Sequence, residues 1–366
     1  MKHYKRKVLI LIIIIVFVVF AISFSENNLK ISYRYINPFI SDEQVSTEKQ
    51  YVIPGGQTIG VELKTKGILV VGLADVVNDN KITTSPAKEA GVHIGDKIMS
   101  VDNKPVSTTQ DFVNYVNSEG IREYNIEIDR HGDKLQLLIT PVRRYNTNDI
   151  IFGFWARDNI AGIGTITYID PETNKFCAVA HGITDSDTGE LIEIDSGTIS
   201  KANITNIKSG KKGEPGEIIG FILKDNNKLG TVTQNSQYGI TGVINEKSLS
   251  FFSSNLIEIG RRDTIQEGPA KILSCLDDKI KEYDIEIVKT YYQSRPSDKS
   301  FIIKIVDEEL LSLTNGIIQG MSGCPIIQNN KLVGAVTHVF MNDPTKGYGI
   351  YIEWLFDESN QKKSNL

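Results

Sequence analysis

After Arg143 the sequence is dominated by short segments rich in β-branched residues, and this pattern limits the fold more than any other feature. Turns rich in Gly, Asn, Asp and Lys separate these segments, among them "GIGTITYID", "KFCAVAHGI", "GEIIGFIL", "KLGTVTQ", "YGITGVI", "FIIKIVD" and "KLVGAVTHVF". Many short strands at such spacing are typical of a β-sandwich or β-barrel. Helical patterns are few, and "GPAKILSCLDDKI" is the main candidate for a helix in this region.

The N-terminus is predicted to be a signal anchor over residues 1–25. Basic residues at positions 2, 5, 6 and 7 precede an uninterrupted apolar run from Val8 to Ile22. This order favours a cytoplasmic N-terminus and an exported body. A cleaved signal peptide is the alternative, because Ala21 and Ser23 form a weak small-x-small cleavage pattern. Residues 26–50 are polar without periodicity and are predicted to be a linker.

Composition and charge exclude several classes of function. The formal net charge is −5, and the charges are interspersed, so nothing points to nucleic acid as a partner. The chain has only three cysteines, an odd number without tight spacing, which argues against a disulfide framework. None of the five histidines stands in an H-E-x-x-H or H-x-H pattern, so no metal site is predicted.

The order of helix, strand and turn patterns in residues 51–142 indicates a small α+β domain. The stretch "SPAKEAGVHIGDKIMSVDNKPV" combines a short helix, a Gly-Asp turn, a strand and a hairpin turn. It resembles a PDZ domain of the kind attached to exported proteases, and "PGGQTIG" then matches the loop that binds a peptide carboxylate. The resemblance implies backbone N–H donors from Thr58, Ile59 and Gly60, with the peptide added as an extra strand. The alternative is that these glycines only make a tight turn.

A serine lies between two glycines in "GMSGCP", residues 320–325. A serine hydroxyl needs a base to take its proton, and donors must face the oxyanion that forms on attack. The turn is similar to the G-D-S-G-G-P turn of chymotrypsin-like serine proteases. This makes Ser322 the candidate nucleophile and the N–H groups of Gly320 and Ser322 the candidate oxyanion hole. The alternative is an ordinary glycine-rich hairpin with a buried serine.

A histidine is the expected base. His181 in "AVAHGITD" ends an apolar strand, in a context similar to the T-A-A-H segment of chymotrypsin-like enzymes. His338 in "GAVTHV" is the competitor, and in such a fold its strand lines the substrate cleft. A third, acidic group should orient the imidazole. Composition does not choose among the candidates Asp185, Asp187, Asp195 and Asp307.

Two longer blocks carry a resemblance to one family. "WARDNIAGIGTITYIDPETNKFCAVAHGITDSDTG" and "QGMSGCPIIQNNKLVGAVTHVFMNDPTKGYGIYIEW" are similar to the stage IV sporulation protein B peptidases of endospore-forming Firmicutes. The resemblance implies a chymotrypsin-like double β-barrel over residues 143–360, without a cofactor. It implies Ser322 as nucleophile, His181 as base and Asp307 as acid, with Asp185 the second choice for the acid.

Two residues depart from the family pattern. Cys324 stands where the family usually has a second serine, and Ala180 where it has a glycine. A side chain two residues past the nucleophile points away from it, so Cys324 is expected to be a buried filler. A thiol nucleophile is the alternative, and it would make the chain a cysteine protease.

The resemblance also implies a biological role. Family members act between the forespore and mother-cell membranes, cleave themselves, and cut a membrane-associated regulator of an intramembrane metalloprotease. That cleavage leads to processing of the late mother-cell sigma factor. Two alternatives belong to other classes: a non-catalytic PDZ adaptor with a degenerate protease fold, and a protease of broad extracytoplasmic quality control.

Overall fold

The computed structural model describes residues 49–78, 80–277 and 279–360. The predicted anchor and most of the predicted linker lie outside these ranges. From Gln50 onward the described residues form one compact unit. Within the described ranges, no helix is both long and apolar enough to cross a membrane.

Ten short or bent strands and two helices come before residue 152 in the described chain. The strands are β1 (Tyr51–Pro54), β2 (Thr58–Leu73), β3 (Val76–Val77), β4 (Thr83–Thr84), β5 (Lys97–Val101), β6 (Lys104–Pro105), β7 (Tyr124–Arg130), β8 (Asp133–Ile139), β9 (Val142–Arg143) and β10 (Ile150–Ile151). The helices are α1 (Pro86–Glu89) and α2 (Thr109–Glu119).

Strands also dominate the remainder, as the β-branched pattern predicted. They are β11 (Phe154–Ile169), β12 (Lys175–Ala178), β13 (Ile194–Lys208), β14 (Glu217–Ile222), β15 (Lys228–Ser236), β16 (Gly239–Ile244), β17 (Ile257–Ile259), β18 (Gly268–Cys275), β19 (Ile280–Thr290), β20 (Phe301–Ile305), β21 (Pro325–Gln328), β22 (Lys331–Phe340) and β23 (Asp343–Tyr351). Two α-helices, α3 (Glu308–Thr314) and α4 (Ile352–Asn360), and 3-10 turns at Asp225–Asn227, Glu246–Phe251 and Arg262–Thr264 complete the described chain.

Six antiparallel strands close into a first barrel. Each strand pairs with the next in the order β2, β11, β12, β16, β15, β13, and β13 pairs with β2 again. Only the first half of β2 and the second half of β11 take part. Ile59, Val61 and Leu63 on β2 belong to the core of this barrel, and their spacing is the two-residue period of a strand.

Six further antiparallel strands close into a second barrel. The order is β18, β19, β20, β23, β22, β21, and β21 pairs with β18 again. Tyr283, Ile285 and Ile287 on β19 are each 1% exposed and alternate with exposed acidic residues. The same alternation makes β18 a strand, so the prediction of a helix over "GPAKILSCLDDKI" is wrong: Ala270, Ile272 and Ser274 face inward at every second position.

The third part consists of the second half of β2 with β5, β7 and β8, covered by α1 and α2. Pro86 occupies the first turn of α1, where its missing N–H costs nothing. The Thr108 hydroxyl accepts a hydrogen bond from the Asp111 N–H and caps α2. The first of these, α1, is the short helix that the sequence pattern predicted.

Two strands, β2 and β11, each have one half in the first barrel and the other half in the third part. Phe154–Arg157 at the start of β11 pair with Leu69–Leu73 of β2, and Asn159–Thr165 pair with Thr58–Lys64 in the barrel. Residues 51–65, which the sequence assigned to the PDZ-like domain, therefore lie among the strands of the barrels. The strand beside Leu69–Leu73 comes from beyond residue 142.

The prediction of a carboxylate-binding loop at Thr58, Ile59 and Gly60 is wrong. Ile59 and Gly60 lie in the middle of a sheet, with β11 on one side and β13 on the other, and Thr58 pairs with β11. The backbone groups of Ile59 and Gly60 face two neighbouring strands, so no edge is left for a peptide. The Thr58 hydroxyl also donates to the Cys275 carbonyl of the second barrel, and a Cβ on Gly60 would lie 2.5 Å from Ile222.

Candidate active site

A cavity of about 1090 Å³ lies between the two barrels. Three side chains singled out in the sequence line it together: His181, Ser322 and His338. Asp298 is the only Asp, Glu, Lys or Arg of the described residues in its wall, and apolar side chains make up most of the rest. The structure therefore brings the predicted serine and both candidate histidines into one cleft.

His181 follows β12 after two residues with left-handed backbone conformation. Val179 has φ 71° and Ala180 has φ 57°, which is costly for residues other than glycine. The Nδ1 atom of His181 lies 2.9 Å from the Gly182 carbonyl oxygen. A carbonyl can only accept, so Nδ1 is assigned the proton in the neutral ring. Nε2 is then left as an acceptor, which is the form that a general base requires.

The serine turn presents two backbone donors. Gly320 and Gly323 have φ 100° and 97°, a conformation that glycine adopts readily. In the hydrogen bonds of the described residues, neither the Gly320 N–H nor the Ser322 N–H has an acceptor. The carbonyls of the same two peptide units are occupied, because the Ile218 N–H donates to Gln319 O and the Cys324 N–H donates to Met321 O. Since N–H and C=O of a trans peptide point in opposite directions, these bonds hold both donors in place.

Strand β11 holds the serine turn from the other barrel. The Thr165 hydroxyl donates to Gly320 O at 2.7 Å, and the Thr167 hydroxyl donates to Gly323 O at 2.8 Å. The Thr165 N–H donates to Ser322 O at 3.2 Å. Both threonines are fully buried. Sequence reasoning missed them, although two threonines on one face of a strand, separated by one residue, could have been recognised as a polar stripe in "GTITYI".

The Ser322 hydroxyl donates to the Thr337 carbonyl at 2.8 Å. Thr337 is itself 2% exposed, and its hydroxyl lies within hydrogen-bond distance of the Asp298 and Tyr348 carbonyls. In this conformation the proton of Ser322 is therefore directed toward β22. A rotation of the side chain must precede transfer of that proton to a histidine.

His338 and Asp298 extend the polar side of the cleft. The rings of His181 and His338 lie 5.0 Å apart between centroids, tilted by 36°. His338 Nδ1 is buried without a hydrogen-bond partner and lies 3.7 Å from a carboxylate oxygen of Asp298. Burial, and after it the neighbouring His181, lowers the pKa of His338 below its ordinary value, although Asp298 acts in the opposite direction.

The acids suggested by the sequence are engaged elsewhere. Asp307 is the N-cap of α3, and its carboxylate accepts from the Leu310 N–H and the Asp284 N–H. Asp185 is 1% exposed and binds Arg157 together with the N–H groups of the turn 187–188. Neither is among the residues that line the cleft. The assignment of Asp307 as the acid stays a prediction.

Cys324 is fully buried below the serine turn, where its thiol lies 3.8 Å from the Thr165 hydroxyl. Burial raises the pKa of the Cys324 thiol to about 11. A thiol that is protonated and shielded from the cleft cannot attack a substrate, so the geometry favours the filler interpretation over a cysteine nucleophile.

Two family models match the chain. The SpoIVB peptidase S55 model matches residues 148–356, and a PDZ domain model matches residues 58–140. With a serine turn and a histidine in one cleft, the protein is a serine peptidase that carries a PDZ domain. The chain belongs to the SpoIVB peptidase S55 family, which confirms the resemblance of its serine and histidine segments to the stage IV sporulation protein B peptidases.

Similarity to curated relatives is local. The chain is 30% identical over 91 residues to a putative zinc metalloprotease of Bartonella henselae, across 25% of this chain and 24% of that protein. It is 35% identical over 72 residues to the regulator of sigma E protease of Haemophilus influenzae, across 20% of this chain and 16% of that protein. The chain thus spans a quarter or less of these relatives. A solved HtrA-type protease, AlgW with a decapeptide, aligns with TM-score 0.32 and 12% identity over 60% of this chain and 56% of that chain.

Proposed function

We propose that Ser322 is the nucleophile and His181 the general base of an endopeptidase with a chymotrypsin-like double barrel. One observation carries this proposal: the unoccupied N–H groups of Gly320 and Ser322 stand beside the serine, in the cleft that also contains His181. Donors fixed in advance at the position of a developing oxyanion contribute on the order of 3 kcal/mol each to the transition state.

The reaction proceeds in two acyl transfers. The Ser322 hydroxyl leaves the Thr337 carbonyl and gives its proton to Nε2 of His181 as its oxygen attacks the substrate carbonyl. The two N–H groups bind the resulting oxyanion, and the imidazolium returns the proton to the departing amine as the peptide bond breaks. Water then attacks the acyl-enzyme with His181 again as base, which releases the acid product and restores Ser322.

The proposed biological role is that of an exported, membrane-anchored peptidase of sporulation signalling. It acts between the forespore and mother-cell membranes, cleaves itself, and cleaves a membrane-associated regulator of an intramembrane metalloprotease. Membership of the SpoIVB peptidase family supports this role. The apolar run from Val8 to Ile22 supports the anchor.

Intact mass over time tests the proposal. The full chain is purified as wild type, Ser322→Ala and Cys324→Ala, and each is incubated alone. We expect wild type and Cys324→Ala to shorten at a few defined sites and Ser322→Ala to remain whole. A fluorophosphonate that labels wild type and fails on Ser322→Ala identifies the nucleophile independently of any substrate.

Two results would contradict parts of the proposal. If wild type is neither shortened nor labelled, the assignment of Ser322 as nucleophile and His181 as base is contradicted. Rapid digestion of unfolded casein at many sites, without preference for the chain's own sites, would replace the signalling role with broad quality control.

A further inference from the structure

A two-stranded ribbon leaves the first barrel and reaches the serine turn. It consists of Ala202–Lys208, where β13 extends past its pairing with β2, and the whole of β14, and the two segments are antiparallel. The inner face is buried, because Ile218 is 6% exposed and a Cβ on Gly320 would lie 2.9 Å from it. Ile204 and Ile207 pack against the cluster that forms the core of the second barrel. The ribbon therefore has an inner face on the second barrel and an outer face that points away from it.

Apolar side chains also occupy the outer face of the ribbon. Ile219 and Phe221 point to the side opposite Ile218, since side chains alternate along a strand, and they are 39% and 49% exposed. Antiparallel strands with one solvated face normally carry polar residues on that face. Strand β14 is instead apolar on both faces, which indicates that its outer face is covered by a partner from outside the described chain.

A lysine and a second aromatic ring extend this surface. Asn203 pairs with Phe221, so Lys201, two residues earlier on β13, stands on the same outer face. The Lys201 ammonium lies 4.6 Å from the centroid of the Phe251 ring, and Phe251 is 37% exposed. We call these four side chains, Ile219, Phe221, Lys201 and Phe251, the outer patch.

The ribbon is basic in an acidic chain. Residues 201–228 contain six lysines against three acidic residues, a net charge of +3, whereas the whole chain has −5. Among the described residues, Lys208 is the only one of the six lysines in an ion pair, with Glu217 at 3.9 Å. Lysines that are not neutralised within the protein attract an anionic surface.

The described chain begins within reach of the outer patch. Tyr51 at the start of β1 pairs with Glu258 of β17. Phe251 precedes Glu258 by seven residues, a span of about 25 Å at most, and Leu256 between them is 55% exposed. The segment that follows the proposed anchor therefore enters the described chain close to the patch. A tether of this kind raises the local concentration of the membrane, so that a small surface suffices for contact.

We propose that the outer patch binds the surface of an anionic membrane. Ile219, Phe221 and Phe251 enter the layer between head groups and acyl chains, and Lys201 binds lipid phosphates together with the other lysines of residues 201–228. Apolar and aromatic side chains ringed by lysines bind membrane surfaces in this way, through buried apolar area and attraction to anionic lipids.

Contact of the outer face with lipid determines where the cleft lies. Pro215, just before β14, lines the cavity that contains Ser322, and the Ile218 N–H donates to the Gln319 carbonyl at the start of the serine turn. A membrane bound by the ribbon therefore holds the cleft close to the lipid surface, within reach of peptide bonds that lie near a membrane. This consequence rests on the catalytic role proposed above, whereas the membrane contact itself does not.

Lysine acetylation in nanodiscs tests the contact. The full chain carrying Ser322→Ala, which prevents self-cleavage, is placed as a single copy in discs of phosphatidylcholine alone or mixed equally with phosphatidylglycerol. We expect Lys201 to be acetylated about 5-fold more slowly in the anionic discs, the factor that corresponds to one lysine held at an anionic surface. Lys289 is the matched control, because its ammonium also lies over a ring, 5.1 Å from the centroid of Tyr291, and it should react equally in both discs. Equal rates for Lys201 in the two discs would overturn the proposal.

A matched pair of substitutions locates the contact. Phe221→Glu puts a negative charge in the outer patch, and Val288→Glu puts one on β19 of the second barrel, where Val288 is 39% exposed. We expect Phe221→Glu to abolish the slow acetylation of Lys201 in anionic discs and Val288→Glu to keep it. Slow acetylation that persists in a folded Phe221→Glu protein would contradict the assignment of the patch. Thermal unfolding of both variants shows whether each is folded.

Discs that hold two copies distinguish the membrane from a second copy of the chain. If Lys201 is acetylated slowly only when two copies share a disc, whatever the lipid, the outer face is an interface between copies and the membrane proposal is overturned. None of these measurements depends on catalysis, because Ser322 is absent from the chain used. Fluorophosphonate labelling of wild type tests the catalytic proposal separately, so failure of one proposal is distinguishable from failure of the other.

Discussion

The Thr165 hydroxyl of one barrel donates to the Gly320 carbonyl of the other at 2.7 Å, and both groups are removed from solvent. This bond fixes the peptide unit that lies between the two candidate oxyanion donors. The geometry proposed for catalysis therefore depends on a contact between barrels as well as on the serine turn itself.

Replacing Thr165 by valine keeps the shape of the side chain and removes the donor. The Gly320 carbonyl is then buried without a partner, at a cost of about 1–3 kcal/mol in the free energy of unfolding. Because the turn is free to reorient, we expect the rate of Ser322 labelling to fall by about 10-fold or more.

Thr167→Val is the matched control, since Thr167 makes the equivalent bond to Gly323, beyond the two donors. We expect a similar loss of stability and a smaller loss of labelling. Equal losses of labelling in both variants would show that the two bonds act only through global stability.

Loss of the side-chain charge should have different effects at Asp307 and at Asp298. Asn is as good an N-cap as Asp, so Asp307→Asn should preserve α3, stability and labelling. Asp298→Asn removes the only fully charged residue from the cleft wall formed by described residues. We expect labelling to fall on the order of 10-fold, because the wall of the cleft loses the carboxylate that stabilises positive charge formed in the cleft during attack. An Asp307→Asn variant as inactive as Ser322→Ala would instead support the acid implied by the family resemblance.

Glycine at position 180 should relieve local strain. Ala180 has φ 57°, whereas Ala178 lies in β12 without a positive φ, and both are fully buried. Both glycine variants lose a buried methyl group, but only Ala180→Gly removes the cost of a left-handed alanine, about 1–2 kcal/mol. Denaturant unfolding should therefore show that Ala180→Gly is less damaging than Ala178→Gly by that amount. A larger loss for Ala180→Gly would contradict the strain argument.

Protonation of His338 should weaken the fold in mild acid. Its pKa is lowered chiefly by burial and then by His181, with Asp298 raising it and Lys299 lowering it further. Below an unfolded pKa of about 6.5, the unfolded chain binds more protons at this residue than the folded chain does. The free energy of unfolding therefore decreases as the pH falls through this window and is fully retained above it. His338→Gln should reduce the difference in Tm between pH 7.5 and pH 5.5, and an unchanged difference would count against the burial effect.

Local sequence patterns predicted a large part of the fold. The segment that begins at Pro86 predicted α1, and β-branched segments marked most strands of the barrels. The pairing of "GMSGCP" with "AVAHG" identified a serine and a histidine that meet in one cleft. These features depend on residues close together in the chain, where capping, turn chemistry and two-residue alternation act.

What the sequence could not supply was the long-range pairing of strands. The match of "PGGQTIG" to a ligand loop failed because Thr58–Leu73 is one long strand whose first half lies in a barrel. The strand next to its second half comes from residues 154–157. The place of Asp298 in the cleft could not be predicted for the same reason, since it approaches His338 only through the closure of the second barrel.

Strand β11 also sets a limit on how this protein can be divided. A fragment ending at residue 142 would expose the edge of Leu69–Leu73 that β11 covers, and an exposed edge of this kind promotes aggregation. A fragment starting near residue 143 would lose β1 and β2, and its first barrel could not close. One family match ends at residue 140 and the other starts at residue 148, but the folded chain cannot be separated between these positions. An exchange of modules between relatives would have to keep residues 51–65 with the barrels and residues 152–158 with the third part.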